Sequence, residues 1–173
     1  RDQMKILCDL GYQVVDLDSA LQQLGNGMLS KKTIVITFDD AYESIGEYAT
    51  PVLLEFGYPA TIFIPTGMTG KEYPSSGNHH SRRIVMSWEK LKQLRLMGFQ
   101  MGSHTISHCN LLIEHTETVK YEIVGSYNNL LEHFGPSKYY FAYPFGLLNM
   151  RIRDLIAASP YVGAVCFGSV LSN

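Results

Sequence analysis

Thr33-Ile34-Val35-Ile36-Thr37-Phe38-Asp39-Asp40 is the stretch on which the fold turns. Its first six residues are β-branched or aromatic and nearly all apolar, and Lys31-Lys32 and the Asp pair bound them. A strand without polar alternation suits a sheet covered on both faces. Ala60-Thr61-Ile62-Phe63-Ile64 repeats the pattern. Tyr12–Leu17, Phe99–Gly102, Lys138–Tyr143 and Tyr161–Phe167 read as further strands. Helical spacing fills the gaps. Met4, Ile6, Leu7 and Leu10 precede Gly11, and Ser19 is placed to cap a helix through Leu24. A helix is expected from Ile45 to Phe56, with Pro51 marking a kink or a new first turn. Trp88, Leu91, Leu94 and Met97 lie between a capping Ser87 and Gly98; Glu117 to Phe134 and Asn149 to Ala158 follow. Buried strands alternating with amphipathic helices predict an α/β fold of parallel βα units. An open doubly wound sheet and a barrel both fit, and both build their site at the carboxyl ends of the strands.

Composition narrows the function classes. The 173 residues make one domain, and 46% hydrophobic against 17% charged residues argues for a packed core. A formal net charge of -2 gives no electrostatic footprint for nucleic acid. No apolar run reaches the roughly 18 residues of a transmembrane helix. Cys8, Cys109 and Cys166 form no C-x-x-C pair, so three buried thiols are expected rather than a disulfide scaffold or a cysteine zinc site. The chain opens at Arg1-Asp2-Gln3 without a basic-then-apolar leader, and both ends read as cut.

Three clusters follow directly after strands. The first is Asp39-Asp40. Two carboxylates at the end of an apolar strand must pair, bind a metal, or cap the next helix. Because neighbours on an extended chain point to opposite sides, one can bind a metal while the other faces its water. The second is Ser103-His104-Thr105-Ile106-Ser107-His108. On a helical turn the two histidines would share a face, close enough for one ion. Two His and one Asp leave a fourth position open, as catalytic zinc sites do. The third is Phe141-Ala142-Tyr143-Pro144-Phe145-Gly146, a turn whose freed amides could bind an oxyanion. The polar stretch Gly67–Arg83, with Tyr73, His79 and His80, could line a groove. Trp88 and Tyr143 could stack on sugar, although the helical spacing of Trp88 favours the core.

Thr37-Phe38-Asp39-Asp40, Ser103 to His108, and Tyr143-Pro144-Phe145-Gly146 together resemble, in order and spacing, the first three motifs of the polysaccharide deacetylases (carbohydrate esterase family 4, the nodulation-type chitooligosaccharide deacetylase superfamily). The Phe-x-Tyr-Pro form of the third motif resembles the subgroup acting on poly-N-acetylglucosamine. The resemblance implies a distorted (β/α) barrel with fewer than eight regular units, here apparently truncated at both ends, with residues 1–173 as one incomplete catalytic domain. It implies metal-dependent removal of acetyl groups from N-acetylglucosamine polymers or oligomers, outside the cytoplasm or at the cell envelope. Asp39 would be the general base, and Asp40, His104 and His108 would hold a divalent metal, zinc first, with cobalt or nickel as alternatives. The Phe145 amide would help bind the oxyanion, and Tyr143 and Pro144 would contact substrate. A deacylase for formylated sugars or ureides, or an inactive carbohydrate-binding domain, are the competing readings. Three departures from the family stand out. Ala142 replaces an Arg and Ala41 a Gly, and no Leu-x-His acid motif follows Phe145, the last histidine being His133.

Overall fold

The computed structural model describes residues 1–73 and 83–167. Its strands are β1 (Gln13–Val14), β2 (Thr33–Ile34), β3 (Thr37–Phe38), β4 (Thr61–Ile64), β5 (Gln100–Ser103), β6 (Tyr140–Ala142) and β7 (Gly163–Val165). Its helices are α1 (Asp2–Asp9), α2 (Leu17–Gly25), α3 (Thr50–Phe56), α4 (Trp88–Leu96), α5 (Thr116–Phe134) and α6 (Met150–Ala157). Strands β3 to β7 form one parallel sheet in strictly sequential order, and β1 pairs with β2 in a second parallel pair. A doubly wound sheet would reverse its strand order at a switch point. Sequential order means that every crossover steps the same way, and the sheet curls into a half-barrel. The α/β barrel-type expectation therefore holds.

The long strand of the sequence is in fact two. Thr33 and Ile34 pair with Gln13 and Val14, whereas Thr37 and Phe38 pair with Thr61 and Ile62. The run changes partners at Val35-Ile36, where the Ile36 carbonyl still accepts from the Thr61 amide at 3.0 Å. The run is less covered than its composition suggests: Thr33 to Ile36 and Phe38 are half-buried and Thr37 is exposed.

Strand β4 is the centre of the structure, with all four residues buried. Alternation sends Ile62 and Ile64 to the face covered by helices, with Leu91, Leu94, Val119 and Ile123. It sends Phe63 to the opposite face, with Leu17, Tyr140 and Ala142. The start of α2 is tied to that second face. Gln100 accepts from the Leu17 amide (3.2 Å) and the Thr61 hydroxyl (3.0 Å), and donates to Asp16 (3.3 Å).

Two local expectations change. Asp16, not Ser19, caps α2, accepting from the Ser19 amide at 2.8 Å and its hydroxyl at 2.6 Å. Starting the helix at Leu17 buries Leu17, which a start at Ser19 would not. The three thiols are free, but Cys8 and Cys166 are exposed and Cys109 is half-buried. Pro51 does open a new first turn, as α3 begins at Thr50 after a π-helical turn over Ile45–Ala49. Ser87 caps α4 as expected, accepting from the Lys90 amide at 3.3 Å.

Gly102 is the tightest point of the sheet. A Cβ there would lie 2.5 Å from the Phe63 ring and 2.9 Å from the Tyr140 carbonyl oxygen. The ring is fully buried and the carbonyl is backbone, so neither can yield. Gly102→Ala is therefore expected to destabilise the protein by about 2 kcal/mol, read from the midpoint of urea unfolding.

Candidate active site

The sheet places the carboxyl ends of its strands on one rim. Asp39 and Asp40 follow β3, His104 follows β5, and Pro144 and Phe145 follow β6. Asp40 and Ala41 both take left-handed backbone angles (φ 65° and 51°). The strand thus ends in a hook that turns Asp40 inward. Ala41 is fully buried, and its carbonyl accepts from Met86 at 2.9 Å. The position where the family often has Gly does need φ > 0, and here alanine bears that strain.

His104 and His108 meet as expected, but not on a helical turn. The chain between them is an irregular loop with Thr105 at φ 68° and His108 at φ 58°. Their ring centroids lie 4.7 Å apart. Both rings aim Nε2 at Asp40 Oδ1, at 4.0 Å from His104 and 3.4 Å from His108. The opposite ring nitrogens are engaged. His104 Nδ1 donates to the Ala142 carbonyl at 2.9 Å, which leaves Nε2 with its lone pair. His108 Nδ1 shares a 2.6 Å hydrogen bond with the Tyr73 hydroxyl.

The three atoms lie within 4.8 Å of one another. Asp40 Oδ1 is buried and has no hydrogen-bond partner. A buried, unpartnered carboxylate oxygen facing two imidazole nitrogens is costly unless a cation lies between them. The donor set, two nitrogens and one carboxylate oxygen, is that of an open zinc-type site. Burial, then the neighbouring His104, hold His108 below its usual range, which keeps the ring neutral as a ligand must be. The residues present therefore fit a divalent metal.

Asp39 is not one of this trio and is exposed to solvent. Loss of water on its crowded side pushes its carboxyl above the usual range, His104 works against this, and the Asp40 charge adds to it. It shares a cleft with Ala142, Tyr143, Cys166 and Phe167. Phe145 has φ 60° inside the tight turn after β6, is half exposed, and sets its ring edge-on to His108 at 4.6 Å. Tyr143 and Pro144 are buried, and the Tyr143 ring packs edge-on against Phe141. Of this segment, Phe145 is the ring that meets solvent beside the histidines. Trp88 stacks on His133 at 3.9 Å and packs against the core.

Sequence reasoning placed Tyr73 in the loop but not on a histidine, and it did not single out Glu122, whose carboxylate accepts from the Ile106 and Ser107 amides between the two histidines. Tyr73 also sets its ring edge-on to Tyr42 at 5.4 Å. Burial and the Asp40 charge raise the Tyr42 hydroxyl to about 12 and raise Tyr73 as well. Both phenols are thus neutral near pH 7. Glu122 had a visible signal, a charged residue on the helix face that also carries Val119, Ile123 and Ser126. His79 and His80 lie outside the described residues.

Comparison with known proteins identifies the family and the fold. The sequence profile of the polysaccharide deacetylase family matches residues 26–164. The poly-beta-1,6-N-acetyl-D-glucosamine N-deacetylase of Staphylococcus aureus (strain MRSA252) is 31% identical over 156 residues, covering 85% of this chain and 52% of that protein. The chain spans about half the length of the curated relatives it matches. Among solved structures, IcaB from Ammonifex degensii superimposes with a TM-score of 0.82 at 23% identity, covering 97% of this chain and 82% of that one. The Streptococcus pyogenes deacetylase PplD in complex with acetate gives 0.77 at 24% identity, covering 90% and 66%. At these identities the two structures establish the shared fold.

Zinc titrated into metal-free protein is expected to bind at one ion per chain. His108→Ala should weaken that binding by about 100-fold or more, measured by competition with a chromophoric chelator. Undiminished affinity would remove His108 from the site.

Proposed function

The chain belongs to the polysaccharide deacetylase family, and on that premise we propose that it hydrolyses the acetamide groups of an N-acetylglucosamine polymer, with a divalent metal as cofactor. The observation that carries this reading is the convergence of Asp40 Oδ1 with two imidazole Nε2 atoms, beside a second carboxylate, Asp39. The name of the S. aureus relative supplies the proposed polymer, a β-1,6-linked one.

Asp40, His104 and His108 hold the metal, zinc first and cobalt or nickel as alternatives. When bound, it makes water acidic near neutral pH and polarises a carbonyl oxygen. Asp39 accepts the proton of the attacking water, and its crowded surroundings favour that task by raising its proton affinity. The Phe145 amide donates to the oxygen on which negative charge develops. The left-handed turn at Phe145 orients that amide, while buried Tyr143 and Pro144 form the wall behind it. The proton taken by Asp39 is the one the leaving amine requires, so its return closes the proton count. Tyr73 and the Ala142 carbonyl keep both imidazoles in the orientation that presents Nε2.

Residues 1–173 are read as one deacetylase domain. A polymer of this kind is too large to cross a membrane unaided, so the cell envelope or its exterior is the proposed place of work. No helix of the described residues is long and apolar enough to span a membrane.

Acetate release from β-1,6-linked N-acetylglucosamine oligomers tests the reading. Zinc-loaded protein is expected to release acetate, chelator to abolish release, and Asp39→Asn to lower the rate by about 100-fold or more. Zinc bound without release, or release that survives Asp39→Asn, would overturn it.

A further inference from the structure

We propose that Glu122, on α5, is a positioning residue that preorganises the loop between His104 and His108 for the metal. The inference rests on the reading that these two histidines are ligands. Glu122 is 6% exposed. Its Oε2 accepts from the Ile106 amide at 2.8 Å and the Ser107 amide at 2.9 Å, and its Oε1 from the Ser107 hydroxyl at 2.8 Å. These bonds go to two of the three residues that separate the histidines.

The loop needs such a hold. Thr105 and His108 are non-glycine residues in left-handed angles, which persist only where the surroundings fix them. All five amides from His104 to His108 have acceptors. His104 donates to the Ile64 carbonyl (2.8 Å), Thr105 to the Ser103 hydroxyl (3.2 Å), and His108 to the Thr105 hydroxyl (2.9 Å). The remaining two go to Glu122. The carbonyls of Thr105 and Ile106 accept from Thr66 (3.0 Å) and Gly67 (2.8 Å) in the loop after β4. Glu122 thus holds one side of the loop and the β4 loop the other.

Packing points the same way. A Cβ on Gly67 or on Gly125 would each lie 2.6 Å from the Ile106 side chain. Gly125 sits one helical turn after Glu122, so one face of α5 supplies both the acceptor and the notch. Among the described residues Glu122 accepts these bonds without a cationic partner. A carboxylate buried to serve three donors in the ligand loop is a costly device for fold stability alone. Holding two imidazoles at a fixed separation is a reason to keep it.

The test measures zinc affinity of the full chain by chelator competition, with thermal unfolding run beside it. Glu122→Ala is expected to bind zinc about tenfold more weakly or worse, and Glu122→Gln, which keeps an oxygen for the two amides, to recover most of that loss. A purely structural role would lower the unfolding midpoint and leave the affinity of the folded protein unchanged. Folded Glu122→Ala with affinity within about twofold of the unaltered chain would overturn the inference. If Glu122→Ala does not fold, Ser107→Ala, which removes the hydroxyl bond to Oε1, decides: zinc binding weakened by more than about twofold supports the inference, and affinity within about twofold of the unaltered chain overturns it. Should the unaltered chain itself bind no zinc, the ligand reading falls and this inference with it. Binding that is lost in His108→Ala but untouched by the Glu122 changes sinks this inference alone.

Discussion

A carboxylate oxygen buried without a hydrogen-bond partner is costly. Asp40 Oδ1 and the two histidine Nε2 atoms are drawn together without a hydrogen-bonding proton for the carboxylate oxygen, so their approach must be imposed from outside. The parallel sheet imposes it. Fixing β3 and β5 on either side of the fully buried β4 sets the spacing of the two chain segments that carry the three side chains. The left-handed hook at Asp40-Ala41 and the left-handed angles at Thr105 and His108 then bring them inward. Rigidity is provided where the charge problem is worst. The backbone at the rim is strained, and the sheet beneath it is densely packed and regular.

The sequence carried the location of the site better than its shape. Thr33 to Phe38 was legible as β-structure from its β-branched and aromatic composition, although the run is half-buried, with Thr37 exposed, rather than covered on both faces. Its division into two strands was not, because the change of partner from β1 to β4 is a matter of sheet curvature and leaves no mark at Val35-Ile36. Spacing alone joined His104 to His108, yet four residues fit a helical turn and a tight loop equally. The left-handed Thr105 and His108 are the features that pattern reading does not anticipate, since neither is Gly or Asn. Ser19 resembled a cap because it precedes an apolar run. Asp16 is the cap because Leu17 is needed in the core under Phe63.

The supporting residues were legible only as anomalies. Glu122 interrupts an otherwise apolar or small face of α5, and nothing in its own segment names its partners, which lie 15 and 16 residues away. Tyr73 reaches His108 across 35 residues from a stretch whose composition suggests only a polar loop. Ligands come as short motifs because they sit at the ends of β3 and β5, the two strands that flank β4. Their supports come from helices and loops that tertiary packing alone brings near.

The Ile106 side chain fills two notches at once, one over Gly67 and one over Gly125. These three positions come from the loop after β4, the histidine loop and α5, yet they share one small volume. A methyl group added at either glycine has room only if Ile106 surrenders it. The three sites therefore cannot drift independently, and in lineages descended from this chain their changes would have to arrive in step.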